Sequence, residues 1–324
     1  MGDAAGIGPE IIVKALADKQ VVAGFEPVVV GDVDVLRNVA AKLGTNITFA
    51  KDSTRTSDDI TVAGAGEPVS GIEIGKLSAA AGRASGKYIE KALHLWRAGE
   101  IDAVATAPIN KEALGMGGYN FPGHTEFLAE LTGTTRFAMS FFAGDLRVVL
   151  LSTHLSLLEA VEVVRKERLE QLIVFADSAL SHLLGRSVKL AVAGLNPHAS
   201  ENGMFGSEEA DEIEPAVRSC VSRGIDVWGP YSPDTIFLRG FRGEFDAVVA
   251  CYHDQATIPV KAFSFGSAVN VTLGLPFVRT SVDHGTAFDI AGQGVADASS
   301  MKAAMKLAAE LARISLAMTD SVSG

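Results

Sequence analysis

The seven histidines of this chain divide by setting. His94 and His182 lie off the apolar stripes of predicted helices and read as solvated surface groups. The other five stand where predicted elements end. His154 (LLSTHLSL), His198 (AVAGLNPHASENG) and His253 (VVACYHDQ) each follow an apolar, β-rich run. In open α/β sheets, ligands gather outside the carboxyl ends of strands. Three neutral imidazoles at such an edge form a site for Zn, Co, Mn or Fe, with positions left open for a substrate. Three unrelated loop histidines are the plain alternative. His124 follows two turn-formers in NFPGHTEF, and His284 stands in RTSVDHGTAFDIAG.

Lys261, Asn270 and Arg279 fall at nine-residue intervals through KAFSFGSAVNVTLGLPFVR. Arginine and lysine recognise carboxylate and phosphate, and asparagine adds a neutral donor. The flanks are apolar and glycine-rich, a poor setting for solvated charge, although each could be an ordinary surface group. A metal beside such an anion pocket points to a small phosphorylated or carboxylated substrate. The segment Val282–Gly294 combines a His-Gly turn, a Thr, an Asp and a second glycine turn. A helix cap at Thr286 or Asp289 explains that pattern equally well.

The chain opens MGDAAGIGPEIIVKAL. Gly2, Gly6 and Gly8 permit unusual backbone angles and close approach. Pro9 suits the first position of a helix, Glu10 suits its positive end, and Ile11, Ile12, Ala15 and Leu16 recur at helical spacing. Free N–H groups at such an end favour an anion. The spacing is not the G-x-G-x-x-G dinucleotide fingerprint, and a tight turn into a helix is the plainer reading.

The elements that must position these groups alternate in type. Strands are predicted at Pro27–Gly31, Ile101–Ala107, Phe137–Phe142, Leu146–Ser152, Val188–Ala193, Phe245–Cys251 and Ala268–Thr272. Several are apolar throughout, as strands covered on both faces should be. Apolar stripes predict helices over Lys87–Ala98, Glu167–Leu184 and Ser299–Ala317. The alternation implies an α/β fold with a largely parallel sheet. The polar stretch DSTRTSDD, Asp52–Asp59, reads as a surface loop. A length of 324 residues suits one large or two medium domains. The formal net charge of −11 argues against a general nucleic-acid surface. No apolar run approaches the ~18 residues of a membrane span, and no signal peptide opens the chain. Cys220 and Cys251, far apart, read as buried thiols of a reducing cytosol.

In order from Gly2 to about Asp297, the segments GDAAGIGPEI, TAPINKEAL, FPGHTEFLAELTG, LNPHASENG, YHDQ, Ala268–Phe277 and VRTSVDHGTAFDIAG resemble one family. It is the 4-hydroxythreonine-4-phosphate dehydrogenase family of pyridoxal-phosphate biosynthesis, with its four-carbon sugar-acid phosphate paralogues. The resemblance implies a fold like isocitrate and isopropylmalate dehydrogenases, with two α/β/α subdomains flanking a cleft. Residues 1–123 plus 272–324 would form the dinucleotide side, and residues 124–271 the metal and dimer side. It implies NAD- or NADP-dependent oxidation of 4-hydroxythreonine 4-phosphate to the 3-oxo acid, which decarboxylates to 3-amino-2-oxopropyl phosphate. One divalent metal per site (Zn, Mg, Mn or Co) and a cytoplasmic homodimer with shared sites are implied too, with no nucleic-acid or membrane partner.

Carried over by match, His154, His198 and His253 would bind the metal. His124, Thr125, Lys261, Asn270 and Arg279 would bind substrate, with Lys261 and His124 catalytic. His284, Gly285 and Asp289 would meet the dinucleotide. A paralogue oxidising erythronate or threonate 4-phosphate keeps the same motifs. A metal-dependent phosphate-ester hydrolase using the same three histidines is the alternative of another class. The chain departs from the family in three places: no strand precedes the opening turn, Ala4 stands where Pro is usual, and Ala256 stands where Gly is common.

Overall fold

The computed structural model describes residues 1–324 apart from 52–55, 57, 58, 67, 265, 324 and the side chains of 319–323. Most of the polar stretch DSTRTSDD therefore lies outside the described residues. Its described members Thr56 and Asp59 are joined by an N–H bond of 2.8 Å to the Asp59 carboxylate.

Among the described residues there are eleven strands. They are β1 (Val28–Val30), β2 (Phe49–Lys51), β3 (Ile60–Ala63), β4 (Ala103–Thr106), β5 (Ala138–Ala143), β6 (Leu146–Leu150), β7 (Leu190–Ala193), β8 (Val227–Tyr231), β9 (Ala247–Ala250), β10 (Val269–Leu273) and β11 (Val278–Ser281). The chain forms two compact units, Met1–Thr135 with Leu275–Ala312, and Arg136–Gly274 with Arg313–Gly324. The crossings fall at 136, 275 and 313, where the sequence places two, at 124 and 272, and keeps 272–324 in the first unit. The helix His124–Thr132 closes on Gly133 at φ +68 and stays in the first unit. The last helix, Ser299–Ser323, passes from one unit to the other. Its Ile314 stands where a Cβ on Gly185 would come within 2.9 Å.

In the first unit β1 and β2 flank β3, all parallel, and β11 pairs with β4 in parallel. In the second unit the strand order is β10-β5-β6-β9-β7-β8. From β6 to β8 the pairs are parallel, as the βα alternation implies. The pairs β10–β5 and β5–β6 are antiparallel, because β5 turns straight into β6 around Gly144 at φ +61.

The central strands of the second unit are apolar on both faces, and Val148, Val149, Leu190, Val248 and Val249 are fully buried. Each contributes roughly 1.5–3 kcal/mol of burial. The helix Lys166–Leu184 buries Leu169, Ile173, Ala176 and Leu180, one residue per turn. These layers leave the carboxyl ends of β6, β9 and β7 as a rigid rim.

Candidate active site

Three histidine-bearing segments leave that rim. His154 follows β6, His253 follows β9 and His198 follows β7, and these three strands are adjacent and parallel. His154 and His253 come together, with ring centroids 6.1 Å apart. With Thr153, Leu155, Leu157, Ala160, Tyr252 and Asp254 they line a cavity of about 480 Å³. His253 Nδ1 lies 2.7 Å from the Asp254 carboxylate, a contact that fixes which ring nitrogen faces outward. His198 stands apart from this pair. Its side chain is 58% exposed, 3.9 Å from the Asp234 carboxylate, with the Phe205 ring tilted against it at 6.4 Å. Among the described residues no three His, Cys, Asp or Glu side chains gather closely enough to hold a metal ion.

Buried hydrogen bonds set these segments. Ser152 donates to the carbonyl of Cys251 at 2.9 Å, joining the ends of β6 and β9. Gln255 accepts from Cys251 N–H and donates to the carbonyl of Gly194, both at 2.7 Å, joining the ends of β9 and β7. The buried Glu209 carboxylate receives the N–H groups of Leu195 and Asn196 at 2.8 and 2.7 Å, and the Asn196 amide at 2.9 Å. Beyond that anchor, His198, Ala199, Ser200, Glu201 and Asn202 all have positive φ, between 47° and 64°. A left-handed turn costs roughly 1–2 kcal/mol per non-glycine residue, so it persists only where anchors like Glu209 hold it. Both cysteines are buried free thiols, and burial pushes Cys251 up to about 12. They read as structural groups, as the sequence suggests.

In the first unit, the buried Arg279 on β11 donates to Thr106 Oγ1 at 2.8 Å and to Thr125 Oγ1 at 3.3 Å. Thr106 passes a bond on to the Thr280 carbonyl at 3.2 Å. Burial lowers the guanidinium to about 10, which leaves it charged at neutral pH. His124 opens the helix His124–Thr132. Burial first, and the charge of Arg279 second, push its imidazole well below 6.5, so it is neutral. Lys261 and Asn270 belong to the second unit. Lys261 is exposed in the last turn of the helix His253–Ser264, so its apolar flanks do not desolvate it, against the expectation from sequence. Asn270 sits on β10, and its Oδ1 is buried with no hydrogen-bond partner among the described residues.

The opening turn holds protein, not an anion, at three of its N–H groups. Asp3 N–H bonds to the Pro108 carbonyl, Gly6 N–H to the Asp3 carbonyl and Ile7 N–H to the Thr286 carbonyl, at 3.0, 3.1 and 3.0 Å. A Cβ on Gly6 would stand 2.9 Å from Thr286, so only glycine lets the two segments meet. The segment Val282–Gly294 is irregular, and no helix begins at Thr286 or Asp289. His284 Nε2 is buried without a partner among the described residues, and the space beside the Gly285 Cα is open. Asp289 is exposed there.

Residues 23–308 match the family described as pyridoxal phosphate biosynthetic protein PdxA. The chain belongs to the PdxA family. A relative from Cupriavidus necator named D-threonate 4-phosphate dehydrogenase is 48% identical over 318 residues, 96% of each chain. A 4-hydroxythreonine-4-phosphate dehydrogenase from Trichlorobacter lovleyi is 42% identical over 326 residues, again 96% of each. The crystal structure of a 4-hydroxythreonine-4-phosphate dehydrogenase from Klebsiella pneumoniae has TM-score 0.87 and 43% identity, over 96% of this chain and 98% of that one. Membership makes the chain an oxidoreductase with the PdxA α/β fold.

Within this PdxA chain the sequence reading missed the groups that aim the histidines. Gln255 had a visible signal, standing two residues after His253 where a helix begins. Ser152 and Glu209 had none, because Cys251 stands 99 residues from the one and Leu195 stands 14 from the other.

Proposed function

We propose that the chain oxidises the C3 hydroxyl of a four-carbon 3-hydroxy acid 4-phosphate with NAD or NADP, and that the 3-oxo acid then loses carbon dioxide. The observation that carries this is the pairing of His154 and His253 on one cavity at the carboxyl edge of adjacent parallel strands. Two imidazoles, His154 exposed and His253 half-buried, are donors that suit a divalent metal such as Zn, Mn or Co. We assign the third ligand to His198 of a second copy of the chain. Its exposure supports this, as does the exposure of Leu157 and Leu158 beside His154 and of Met204 and Phe205 beside His198. The metal, when bound, supplies a Lewis acid for the substrate hydroxyl.

A dinucleotide bound to this chain would supply the hydride acceptor for C3. His284 and Gly285 fit a dinucleotide, with one orphaned buried nitrogen and one open glycine face, and Asp289 lies exposed beside them. Arg279 and Thr125 hold the substrate anion, Arg279 through its planar fork. Neutral His124 accepts a hydrogen bond from the substrate without adding charge. Asn270 offers its orphaned carbonyl oxygen to a substrate donor, and Lys261 supplies a mobile ammonium that can protonate the carbon left by decarboxylation.

Identity to the named relatives favours D-threonate 4-phosphate as the substrate, with 4-hydroxythreonine 4-phosphate second. The two differ at C2, hydroxyl against amine. The former gives a hydroxy-oxopropyl phosphate, and the latter 3-amino-2-oxopropyl phosphate. The assay supplies each substrate with NAD or NADP and a divalent metal, and follows NADH or NADPH, carbon dioxide and inorganic phosphate. Reduced dinucleotide and carbon dioxide in step, with phosphate retained, is the expected result. Phosphate release without reduction identifies a phosphate-ester hydrolase instead. No described helix is long and apolar enough to cross a membrane, and the free buried thiols support a cytoplasmic site of action.

A further inference from the structure

The loop proposed to meet the dinucleotide is fastened at two points to one helix, Gly8–Leu16, and to Ile7, which caps it. At its first end, Ile7 N–H holds the Thr286 carbonyl at 3.0 Å. At its second end two side chains of that helix take over. Glu10, only 4% exposed, receives Gly294 N–H at 3.2 Å and Ala296 N–H at 2.8 Å. Lys14 Nζ donates to the carbonyls of Gly294 and Ala296 at 2.9 and 2.7 Å, and to Glu10 itself at 2.9 Å.

Every backbone polar group of Gly294 and Ala296 is thus matched by a charged side chain. Glu10 and Lys14 stand at i and i+4, so they share one face of the helix and offer an acceptor and a donor side by side. The arrangement reproduces what a neighbouring strand would supply, without a strand. A buried ion pair contributes little net stability over apolar groups of equal volume. Its use here is geometric: it fixes the shape of a loop that has no regular structure of its own.

We propose that Glu10 and Lys14 are positioning residues for the dinucleotide, holding the 284–296 loop in its binding shape. This rests on the reading of His284, Gly285 and Asp289 as the cofactor side. A loop ordered in advance spares the ligand the entropy of ordering it. Loss of the clamp therefore weakens dinucleotide binding and leaves metal binding at His154 and His253, in the other unit, untouched.

The test uses the full chain with Glu10→Gln and Lys14→Met, and Lys14→Arg as the conservative variant. Amide hydrogen exchange of the 284–296 segment is followed by mass spectrometry, NAD and NADP binding by calorimetry, and metal content by elemental analysis. Faster exchange in the segment, a Kd raised roughly tenfold or more, unchanged metal content and recovery with Lys14→Arg support the proposal. Faster exchange with unchanged Kd overturns it, and so does unchanged exchange. Should Glu10→Gln not fold, Lys14→Met decides, since that side chain is partly exposed and leaves the helix's apolar face intact. A wild type that binds neither dinucleotide overturns the cofactor reading and this inference with it. Failure of the clamp alone shows instead as wild type and variants binding alike.

Discussion

Gln255 Nε2 donates to the carbonyl of Gly194 at 2.7 Å, and through this bond the strand leading to His253 is tied to the strand leading to His198. The same amide accepts Cys251 N–H at 2.7 Å, so one buried side chain satisfies two backbone groups at the sheet edge. Gln255→Ala leaves both groups buried and unmatched, each costing about 1–3 kcal/mol. Urea unfolding should show a loss of at least about 2 kcal/mol, with weaker metal binding at the histidines. Gln255→Glu keeps the acceptor and loses the donor, and should fall between. A midpoint unchanged in Gln255→Ala would show that the bond does not set the edge.

Arg279 spans two hydroxyls, those of Thr106 and Thr125, in a dry setting. Arg279→Lys loses the fork, and the same burial favours the neutral form of the lysine put in its place. Two enzymes are compared on two substrates, with and without the 4-phosphate. On the phosphorylated substrate, kcat/KM should fall roughly tenfold to a hundredfold, since a hydrogen bond to a charged group is worth about 1.5–3 kcal/mol. The substrate without phosphate, poor from the start, should lose little more. Equal losses on both would assign Arg279 to the carboxylate or to the fold.

His124 is held neutral because burial and Arg279 disfavour its cation. The unfolded chain therefore binds a proton at His124 at higher pH than the folded chain does. Stability is unaffected by His124 above its ordinary value of 6.5 and declines as pH falls from there toward the lowered value. His124→Asn should flatten that decline in a series of urea titrations. The pH profile of kcat/KM should carry no limb near 6.5 from this residue. A decline of the same steepness in the variant would contradict the assignment.

Glu201 sits at φ +47 within the left-handed turn and is exposed, so backbone strain can be tested there without repacking. Glu201→Gly should be neutral or gain up to about 1 kcal/mol, and Glu201→Val should lose about 1–2 kcal/mol. Equal stability of the two would mean that the turn relaxes in solution.

All seven strands read from the sequence are present, because each carries an apolar or β-branched run that one sheet face or two must bury. Those missed are β2, β3, β8 and β11. The first two are only three and four residues long, and β8 contains Gly229 and Pro230, which ordinarily mark a turn and are tolerated at a sheet edge. Strand β11, VRTS, has its pattern broken by Arg279, a buried cation in a fully buried strand. The histidines were legible as residues just past strand ends because each follows an apolar run. Their separation into a pair and a lone member was not, since it depends on the turn that Glu209 anchors from outside the motif. The exposure of Lys261 was not legible either: Ile258, Ala262 and Phe263 around it are themselves exposed, so apolar neighbours in sequence do not cover it.

The central claim is that the oxidoreductase centre combines His154 and His253 of one chain with His198 of another. The most direct test mixes two inactive proteins, His198→Ala and His253→Ala, under conditions of demonstrated subunit exchange, and measures reduced dinucleotide. In a mixed dimer one site has all three histidines and the other lacks two, so random exchange should restore about a quarter of wild-type activity. Mixing His154→Ala with His253→Ala should restore none, because both changes fall on the same side of the shared site. Activity from the second mixture, or none from the first, would contradict the account.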